Sequence, residues 1–437
     1  MTPRSGPRYG WYGDDFTGAT DTLATLAEAG QRAMLFLGVP EPRHLERAGP
    51  LDAVGIAGAA RAMDPPAMRR ELDPVGRFLA GIGVSVLHYK CCSTFDSAPH
   101  VGSIGAAIGV LRPYVSNPLV PIIGGQPNIG RFCAFSTLFA RAGAEGAVAR
   151  LDRHPTMSVH PVTPMHEADL RLHLAEQGCG PVACIHLPAY EDPDRLDAAL
   201  RAVADAPAVL FDLVSGGQLA AIGRVICRSA AAQPMLAVGP SSVAQVVLAG
   251  WDASSAGSAP PGLSPAQGPV LVLAGSLSPV TRRQVAAASS FVPVAIDANR
   301  LLDDPAHGPV LVEHVTRLLR QGRHVLCCTA LERPAVDTSR AGAVAEATAR
   351  LLPAILAQAS VRRVGIAGGD TSSRAVGALG AWGLSLTATL APGVAVCTAR
   401  SDHPGIDGVE LMLKGGQMGP VDVFDRLVSG HADVSLP

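Results

Sequence analysis

The chain contains 437 residues, of which 48% are hydrophobic and 16% are charged. Its formal net charge of −2 gives no basic field for nucleic acid or for an anionic membrane, so neither is expected as a partner. The length predicts two or three domains of roughly 100 to 200 residues each. The composition is typical of compact globular chains. A small molecule is therefore the expected partner.

The nine cysteines show no CxxC pair and no regular disulfide spacing. Cys327 and Cys328 lie in VLCCTA, which is typical of a buried strand, so most of the cysteines are expected to be reduced core residues. The chain opens without a charged and then apolar leader. It also has no apolar run long enough to span a bilayer. These features predict a cytoplasmic protein.

The first predicted strand and helix flank a pair of carboxylates. Residues 9–12 are apolar and predict a strand, and the alanine-rich residues 19–29 predict a helix that stops at Gly30. Between them stands GDDFTGATD, with Asp14 and Asp15 adjacent. Capping of the helix N terminus accounts for one acidic residue. Two neighbouring carboxylates repel each other unless a positive charge or a shared proton lies between them, so both are candidate catalytic residues.

Four further apolar runs in the first half predict strands that are buried on both faces: 32–39, 53–58, 84–89 and 119–125. Their alternation with amphipathic stretches predicts a largely parallel sheet flanked by helices. Ligands of such sheets bind at the carboxyl ends of the strands. Polar residues follow two of these strands, in KCCSTFDS and in GGQPNIGR. The candidate substrate-binding residues there are Lys90, Ser93, Thr94, Asp96 and Arg131.

The cations, hydroxyls and amides after these strands suit a small sugar acid. Each also has a local explanation: Lys90 as a solvated lysine, Asp96 as an Asx-turn residue and Arg131 as a structural ion-pair partner. Residues 152–170 contain hydroxyls and histidines that suggest a metal patch, but prolines interrupt the segment. His160 and His166 are therefore expected to be surface or loop residues, and the metal ligands stay unknown.

Residues 251–269 are rich in Ser, Ala, Gly and Pro and form the clearest linker. The predicted domains are accordingly 1–250 and 269–437, joined by a linker over 251–268. Strands are predicted again at 269–275, 292–297, 324–330 and 361–370. The expected fold class is α/β, with two domains that each contain a largely parallel sheet flanked by helices.

Three strand ends in the second half carry glycines before a helical pattern: AGSLSPVTRRQ, AGGDTSSRAVGALG and LKGGQMGPVDVF. Ser278 and Pro279 are expected to open one helix, and Thr371 and Ser372 to cap another. A single Gly-Gly is an ordinary turn. Three such ends, with Lys414 to offset negative charge, favour a nucleotide bound by backbone N–H groups. The chain has neither a P-loop nor a GxGxxG fingerprint, so the binding mode is a different one.

These motifs together resemble the four-carbon acid sugar kinase family over nearly the whole chain. The resemblance rests on DDFTGATD, KCCSTFDS, GR at 130–131, HPVTPM, GSLSPVTRRQ, GGDTS, PG at 392–393 and LKGGQMG. It implies an N-terminal domain that binds the sugar acid, a C-terminal domain that binds ATP, and an active site in the cleft between them. The residues that it implies for ATP are Ser276, Gly368, Gly369, Asp370, Thr371 and Gly416. Those that it implies for the sugar acid are Asp14, Asp15, Lys90, Ser93, Thr94, Asp96 and Arg131.

Many members of the family carry DSTLRGN where this chain has CSTFDSAPHVGS, and the CSTFDS form is more similar to the 3-oxo-tetronate branch. The expected activity is an ATP-dependent kinase that phosphorylates the terminal hydroxyl of a four-carbon sugar acid of the 3-oxo-tetronate, threonate or erythronate type. Asp15 or Asp14 is expected to be the general base, and Lys90 and Arg131 to hold the substrate carboxylate. Lys414 and the glycine loops are expected to hold the ATP phosphates, with Mg²⁺ between them.

Two alternatives remain. One is a sugar-acid sensor that binds nucleotide without transferring phosphate. The other is an NAD-linked oxidoreductase, which the missing dinucleotide fingerprint disfavours. The expected partners are the sugar acid and ATP, and the number of chains in the assembly stays open, with a homodimer considered.

Overall fold

A computed structural model describes residues 6–143, 146–251, 262–275, 278–329 and 340–430. The chain divides into two compact units, Met1–Ala259 and Pro260–Pro437. Most of the predicted linker lies outside the described residues, as does Ser276. In the described part of the chain, no helix is both long and apolar enough to cross a membrane.

The first unit is built on eight parallel strands. In spatial order they are β2 (Ala33–Phe36), β3 (Ala53–Ala57), β1 (Tyr9–Gly13), β4 (Val86–Lys90), β11 (Met235–Gly239), β5 (Pro121–Ile123), β10 (Ala208–Phe211) and β9 (Val182–Ile185). Most of these strand residues are buried, because helices cover both faces of a parallel sheet. The carboxyl ends of β3, β1 and β4 are therefore neighbours at one edge of the sheet.

The helices of the first unit connect these strands. They are α1 (Phe16–Glu28), α2 (Pro42–Ala48), α3 (Pro65–Gly81), α4 (Ile104–Leu111), α5 (Leu170–Ala175), α6 (Pro193–Ala202), α7 (Leu219–Ala232) and α8 (Ser242–Gly250). Single 3₁₀ turns lie at Ala60–Ala62, Arg112–Tyr114, Pro127–Ile129, Leu151–Arg153, Met157–Val159, Leu187–Glu191 and Gly216–Gln218. A separate antiparallel sheet contains β6 (Arg131–Ala134), β7 (Thr137–Arg141) and β8 (Val148–Arg150), and the sequence patterns did not predict it.

The second unit contains a largely parallel sheet. Its order is β13 (Phe291–Ala295), β14 (His324–Cys328), β12 (Val270–Ala274), β15 (Arg363–Ala367) and β18 (Glu410–Lys414), followed by the antiparallel strands β17 (Val394–Ser401) and β16 (Ala381–Ala391). The helices are α9 (Pro279–Ala287), α10 (Ala298–Asp303), α11 (His307–Arg320), α12 (Ala341–Leu356), α13 (Gly369–Ala378) and α14 (Val423–Ser429). The three glycine-bearing strand ends follow β12, β15 and β18, which are adjacent in this sheet.

The α/β fold class predicted from the sequence is confirmed, and every predicted strand overlaps an observed one. Two helix starts differ from expectation. α1 begins at Phe16, three residues early, so Asp15 is its N-cap and accepts a hydrogen bond from the Gly18 N–H. α13 begins at Gly369 after the N-cap Gly368, which makes no side-chain cap. The prediction that Thr371 and Ser372 cap this helix is therefore wrong, because both lie within its first turn.

The nine cysteines are free thiols, and Cys327 and Cys328 are buried in β14 as predicted. The other buried thiols are Cys91, Cys133, Cys179 and Cys397. Burial raises the pKa of Cys327 and of Cys397 to about 12. These thiols are therefore structural core groups and not thiolate nucleophiles.

Candidate active site

Four charged side chains meet at the carboxyl ends of β1, β3 and β4. Arg61, in the 3₁₀ turn after β3, donates from Nη2 to Asp14 Oδ1 at 2.8 Å and from Nε to Asp14 Oδ2 at 3.2 Å. The same Nη2 donates to Asp15 Oδ1 at 2.9 Å. The Nζ of Lys90, the last residue of β4, lies 3.8 Å from Asp15 Oδ1. This cluster contains two carboxylates and two cations. The positive charges of Arg61 and Lys90 offset the repulsion between the adjacent carboxylates of Asp14 and Asp15.

The local sequence makes this close packing of charges possible. A Cβ on Gly18 would collide with the Nζ of Lys90, so only glycine lets the lysine reach across the first turn of α1. A Cβ on Gly13 would likewise collide with Ala19, which lies close to the end of β1. The glycines of GDDFTGATD therefore bring the strand, the helix and the lysine together.

The two carboxylates differ in environment. The side chain of Asp14 is 2% exposed and that of Asp15 is 29% exposed. Burial raises the pKa of Asp14, and the nearby Arg61 offsets this only in part. Burial also opposes ionisation of Asp15, but the charges of Arg61 and Lys90 and the Gly18 N–H outweigh it and lower the Asp15 pKa. Asp15 is therefore an accessible, ionised carboxylate, whereas Asp14 is an inner anchor for Arg61.

Lys90 is 4% exposed, so the explanation of this residue as a solvated lysine is wrong. Burial alone lowers the pKa of a lysine, but Asp15 and Asp14 outweigh that effect and raise the pKa of Lys90. The ammonium group is therefore charged at neutral pH and is held beside the two carboxylates.

A polar turn follows β4 and contains the other residues predicted from KCCSTFDS. The Thr94 hydroxyl donates to Asp96 Oδ1 at 2.7 Å, and Cys92 Sγ lies 3.0 Å from the Thr94 hydroxyl. Ser93 is half-buried in the same turn. We call residues 92–96 the polar turn. It presents a thiol, two hydroxyls and a carboxylate next to the end of β4.

Arg131 opens β6 and is also near the polar turn. Its Nη1 donates to the carbonyl of Ile129 at 2.9 Å, whereas its buried Nε has no hydrogen-bond partner among the described residues. Burial lowers the pKa of Arg131, and the nearby Asp96 carboxylate acts in the opposite direction. No ion pair of Arg131 is found in the described part of the chain, so the expected structural ion-pair role has no support.

In the part of the chain that the structure describes, the histidine-containing segment 152–170 belongs to no group of three or more His, Cys, Asp or Glu residues that could hold a metal ion. His160 Nδ1 accepts a hydrogen bond from the Thr163 N–H at 3.1 Å and closes a local turn. His166 is exposed. Both are loop residues, as the sequence predicted.

The second unit brings several predicted nucleotide-binding residues together. The Gly275 N–H, after β12, donates to the carbonyl of Ala367 at 3.0 Å, and the Gly368 N–H, after β15, donates to that of Lys414 at 3.0 Å. A Cβ on Gly275 would collide with the hydroxyl of Thr371. The three glycine-bearing ends are thus joined by hydrogen bonds and close contact.

Lys414 ends β18 and is fully buried. Its Nζ donates to the Thr281 hydroxyl at 3.2 Å, and that hydroxyl donates to the carbonyl of Gly416 at 2.8 Å. Ser278 caps α9, as predicted, and its hydroxyl also donates to the Gly416 carbonyl. Burial lowers the pKa of Lys414 to about 8. Lys414 has no carboxylate partner in the described residues, which makes it a candidate for binding an anion.

The first turn of α13 offers further donors. No side chain caps it, and Gly368 has a φ of 128°, a backbone conformation that favours glycine. The buried hydroxyl of Ser372 has no partner in the described part of the chain. Asp370 is the second residue of α13, and its side chain lies outside the part of the chain that the structure describes.

Comparison with known proteins identifies the two units. Residues 9–247 match the model of a sugar-binding N-terminal domain, and residues 271–424 match that of a nucleotide-binding C-terminal domain. The chain belongs to the four-carbon acid sugar kinase family. The prediction that it is a kinase is confirmed, and its substrate class is a sugar acid.

Several kinases are similar over almost their full length. A 3-oxo-isoapionate kinase of Paraburkholderia graminis is 37% identical, over 96% of this chain and 94% of its own. A 3-oxo-tetronate kinase of Methylobacterium radiotolerans is 31% identical, over 95% of this chain and 97% of its own. A solved structure of a protein from Salmonella typhimurium LT2 is 25% identical with a TM-score of 0.80, over 96% of this chain and 98% of its own.

Arg61 is the main site residue that the sequence motifs missed. It lies in AGAARAMD, four residues after the end of β3. An arginine after a strand is unremarkable unless the strand is known to lie beside β1. The sequence does contain one indication of its role: Arg61 follows a predicted buried strand, and the ends of parallel strands lie at the same edge of the sheet as the Asp14–Asp15 pair.

Proposed function

We propose that the chain transfers the γ-phosphoryl group of ATP to a hydroxyl of a 3-oxo sugar acid of the isoapionate or tetronate type. In this proposal the first unit binds the acid and the second binds ATP. Threonate and erythronate are the 3-hydroxy alternatives. The names of the two relatives described above favour a 3-oxo acid, and so does the CSTFDS motif.

The observation that carries the proposal is the Asp15 carboxylate. It is ionised, partly exposed, and fixed by Arg61 Nη2 at 2.9 Å and the Gly18 N–H at 3.0 Å. A carboxylate with a lowered pKa is a weak base, but phosphoryl transfer with a loose transition state needs an oriented acceptor hydroxyl more than a strong base. Asp15 suits that role because Gly18, Arg61 and Lys90 all contact its Oδ1, and its side chain is 29% exposed.

The acid carboxylate is assigned to Arg131, with Lys90 as the second candidate cation. Lys90 and Arg61 are already balanced by Asp14 and Asp15, whereas Arg131 has a buried Nε without a partner in the described residues. Arg131 has no carboxylate partner in the described residues, and a guanidinium binds a carboxylate through strong charge-assisted hydrogen bonds. Ser93, Thr94 and Asp96 would then bind the hydroxyl and oxo groups of the acid.

The ATP phosphates are assigned to the glycine-bearing ends of the second unit. Backbone N–H groups at the start of α13 and the buried Lys414 supply positive potential without a compensating carboxylate in the described residues. Gly368, Gly369, Thr371 and Gly416 lie at these ends, and Ser276 and Asp370 complete the predicted set.

Mg²⁺ fits this arrangement because it usually keeps several waters and binds substrate phosphates with only one or two protein carboxylates. No cage of three or more acidic, histidine or cysteine ligands is needed, and the described residues contain none. When bound, the ion would neutralise phosphate charge. Its protein ligands stay unassigned.

The chemical step forms a bond between the substrate hydroxyl oxygen and the γ-phosphorus while the bond from that phosphorus to the β,γ-bridging oxygen breaks. ADP leaves, and the hydroxyl proton passes to Asp15. Arg61 holds Asp15 in place during this transfer, and Lys90 offsets the negative charge nearby.

The test is ADP formation with ATP and Mg²⁺ against 3-oxo-isoapionate, 3-oxo-tetronate, threonate and erythronate. We expect acid-dependent ADP and a phosphorylated product, with a higher kcat/KM for a 3-oxo acid than for its 3-hydroxy counterpart. Nucleotide binding without acid-dependent ADP across the panel would instead support the sugar-acid sensor.

Replacing Lys414 by methionine is expected to stabilise the second unit and weaken ATP binding. The folded pKa of about 8 lies below the ordinary value of 10.5, so the unfolded chain binds the proton more tightly. The resulting destabilisation, roughly 3 kcal/mol, is complete below pH 8 and disappears as the pH rises toward 10.5.

Hydrogen exchange of the β15 and β18 amides measures this effect. Lys414→Met is expected to gain about 2 kcal/mol at pH 7 and much less at pH 10, with at least a tenfold loss in ATP affinity. Arg323→Met, a control at an exposed position of the same unit, is expected to change neither quantity appreciably. Unchanged ATP affinity in Lys414→Met would remove Lys414 from the phosphate site.

A further inference from the structure

A buried hydrogen-bond network lies behind the polar turn. His173 of α5 and Gln177, just after α5, are 7% and 8% exposed. His173 Nε2 lies 2.9 Å from the Ser97 hydroxyl and 3.2 Å from the Phe95 carbonyl oxygen. Gln177 Nε2 donates to the Ser97 hydroxyl at 2.9 Å, and the Ser97 hydroxyl donates to the Phe95 carbonyl at 2.8 Å. His173 and Ser97 thus both contact the Phe95 carbonyl, and Gln177 holds the Ser97 hydroxyl beside them.

The residue that they hold has an unusual backbone conformation. Phe95 is fully buried and has a φ of 55°, in the left-handed region that a bulky residue rarely adopts. Such conformations persist only where the surroundings fix them, and they are concentrated at functional sites. His173 and Ser97 contact the Phe95 carbonyl, and the Phe95 N–H donates to the Cys92 carbonyl at 3.0 Å, so both peptide groups of Phe95 are held.

Phe95 lies between the two side chains of the polar turn that hydrogen-bond to each other. Its dihedral angles set the directions of Thr94 and Asp96, whose side chains meet at 2.7 Å. If Phe95 relaxed to an ordinary conformation, Asp96 would rotate away from Thr94. The network is also anchored to α4, because Gln177 Oε1 accepts from the Ile104 N–H at 2.8 Å.

We propose that His173 is a positioning residue for the sugar acid, acting through Ser97 and the Phe95 carbonyl to hold the polar turn in its binding conformation. The proposal rests on the assignment of the polar turn to the acid under the proposed function. His173 touches none of the residues assigned to the acid. Burial lowers its pKa, so the ring that holds the turn is neutral at pH 7.

The test compares His173→Leu with His173→Gln, which keeps a polar group that reaches Phe95 and Ser97. His173→Leu is expected to raise the KM of the acid by about tenfold or more and to leave the KM of ATP within about twofold, because a small misplacement of binding groups is enough. His173→Gln is expected to recover most of the affinity. His44→Leu replaces another buried histidine of the first unit, in α2, and serves as the matched control.

A second readout does not depend on catalysis. Cys92 lies in the polar turn, so its alkylation rate, followed by peptide mass spectrometry, reports on the turn directly. We expect His173→Leu to raise this rate about tenfold while leaving the rate of Cys227 in α7 unchanged, as local opening without global unfolding requires. Ser97→Ala, which removes one oxygen atom, is also expected to raise the alkylation rate of Cys92. This variant tests the proposal if His173→Leu does not fold.

These experiments test the proposed kinase function and the positioning role of His173 separately. If the wild-type protein phosphorylates no acid, the proposed function fails, and Cys92 labelling alone decides whether His173 holds the turn. Unchanged acid KM and Cys92 labelling in both His173→Leu and Ser97→Ala would overturn the positioning role. Parallel increases at Cys92 and Cys227 would also overturn it, because they would show a general loss of structure.

Discussion

Replacing Asp15 by asparagine is expected to lower kcat by about 10³-fold and to leave the affinity for ATP within about twofold. Asparagine keeps the size of the side chain and its hydrogen bond from the Gly18 N–H, but it cannot take up the substrate proton. The measurements are steady-state ADP formation with the best acid and equilibrium binding of ATP.

The control for this variant is Asp197→Asn, which removes an exposed carboxylate paired with Arg228 on α7. It is expected to keep wild-type kcat, since surface ion pairs contribute little. If Asp15→Asn turns over at the wild-type rate, Asp15 is not the proton acceptor. Loss of ATP binding together with kcat would indicate instead that the substitution disturbs the whole protein.

The sequence motifs predicted which strands end at candidate site residues, because a buried strand and the residues that follow it are adjacent in the sequence. Buried apolar runs followed by polar or glycine-rich segments place Asp14, Asp15 and Lys90 at strand ends, and parallel pairing puts such ends at one edge. The order of the strands is not local. Only the structure shows that β3 and β4 flank β1, and this order is what gives the carboxylates their partners Arg61 and Lys90.

Two further features of the structure differ from the sequence-based predictions: the start of α13 and the small antiparallel sheet. α13 opens at Gly368, whose φ of 128° favours glycine, although Thr371 and Ser372 are the better caps by residue type. The sheet formed by β6, β7 and β8 was missed because its strands are short and its residues are only partly buried. Short strands of that kind show weak periodicity.

Replacing Arg61 by methionine is expected to destabilise the first unit by about 3–5 kcal/mol, because it leaves the buried Asp14 carboxylate without its bidentate partner. Hydrogen exchange of the β1 amides measures this loss. Arg32→Met is the matched control: Arg32 makes an equally short bidentate pair with Asp52 but is 59% exposed. Its loss is expected to cost about 1 kcal/mol or less.

The pH dependence of the Arg61 variant shows whether the buried charge is the cause. Burial raises the folded-state pKa of Asp14, and removal of Arg61 raises it further. Since the folded state then holds the proton more tightly than the unfolded state, stability falls as the pH rises through the folded pKa. Arg61→Met is therefore expected to lose more stability at pH 8 than at pH 5, and the double variant with Asp14→Asn is expected to recover part of it at pH 8. Equal losses at both pH values would show that Arg61 stabilises the site through packing and not through its charge.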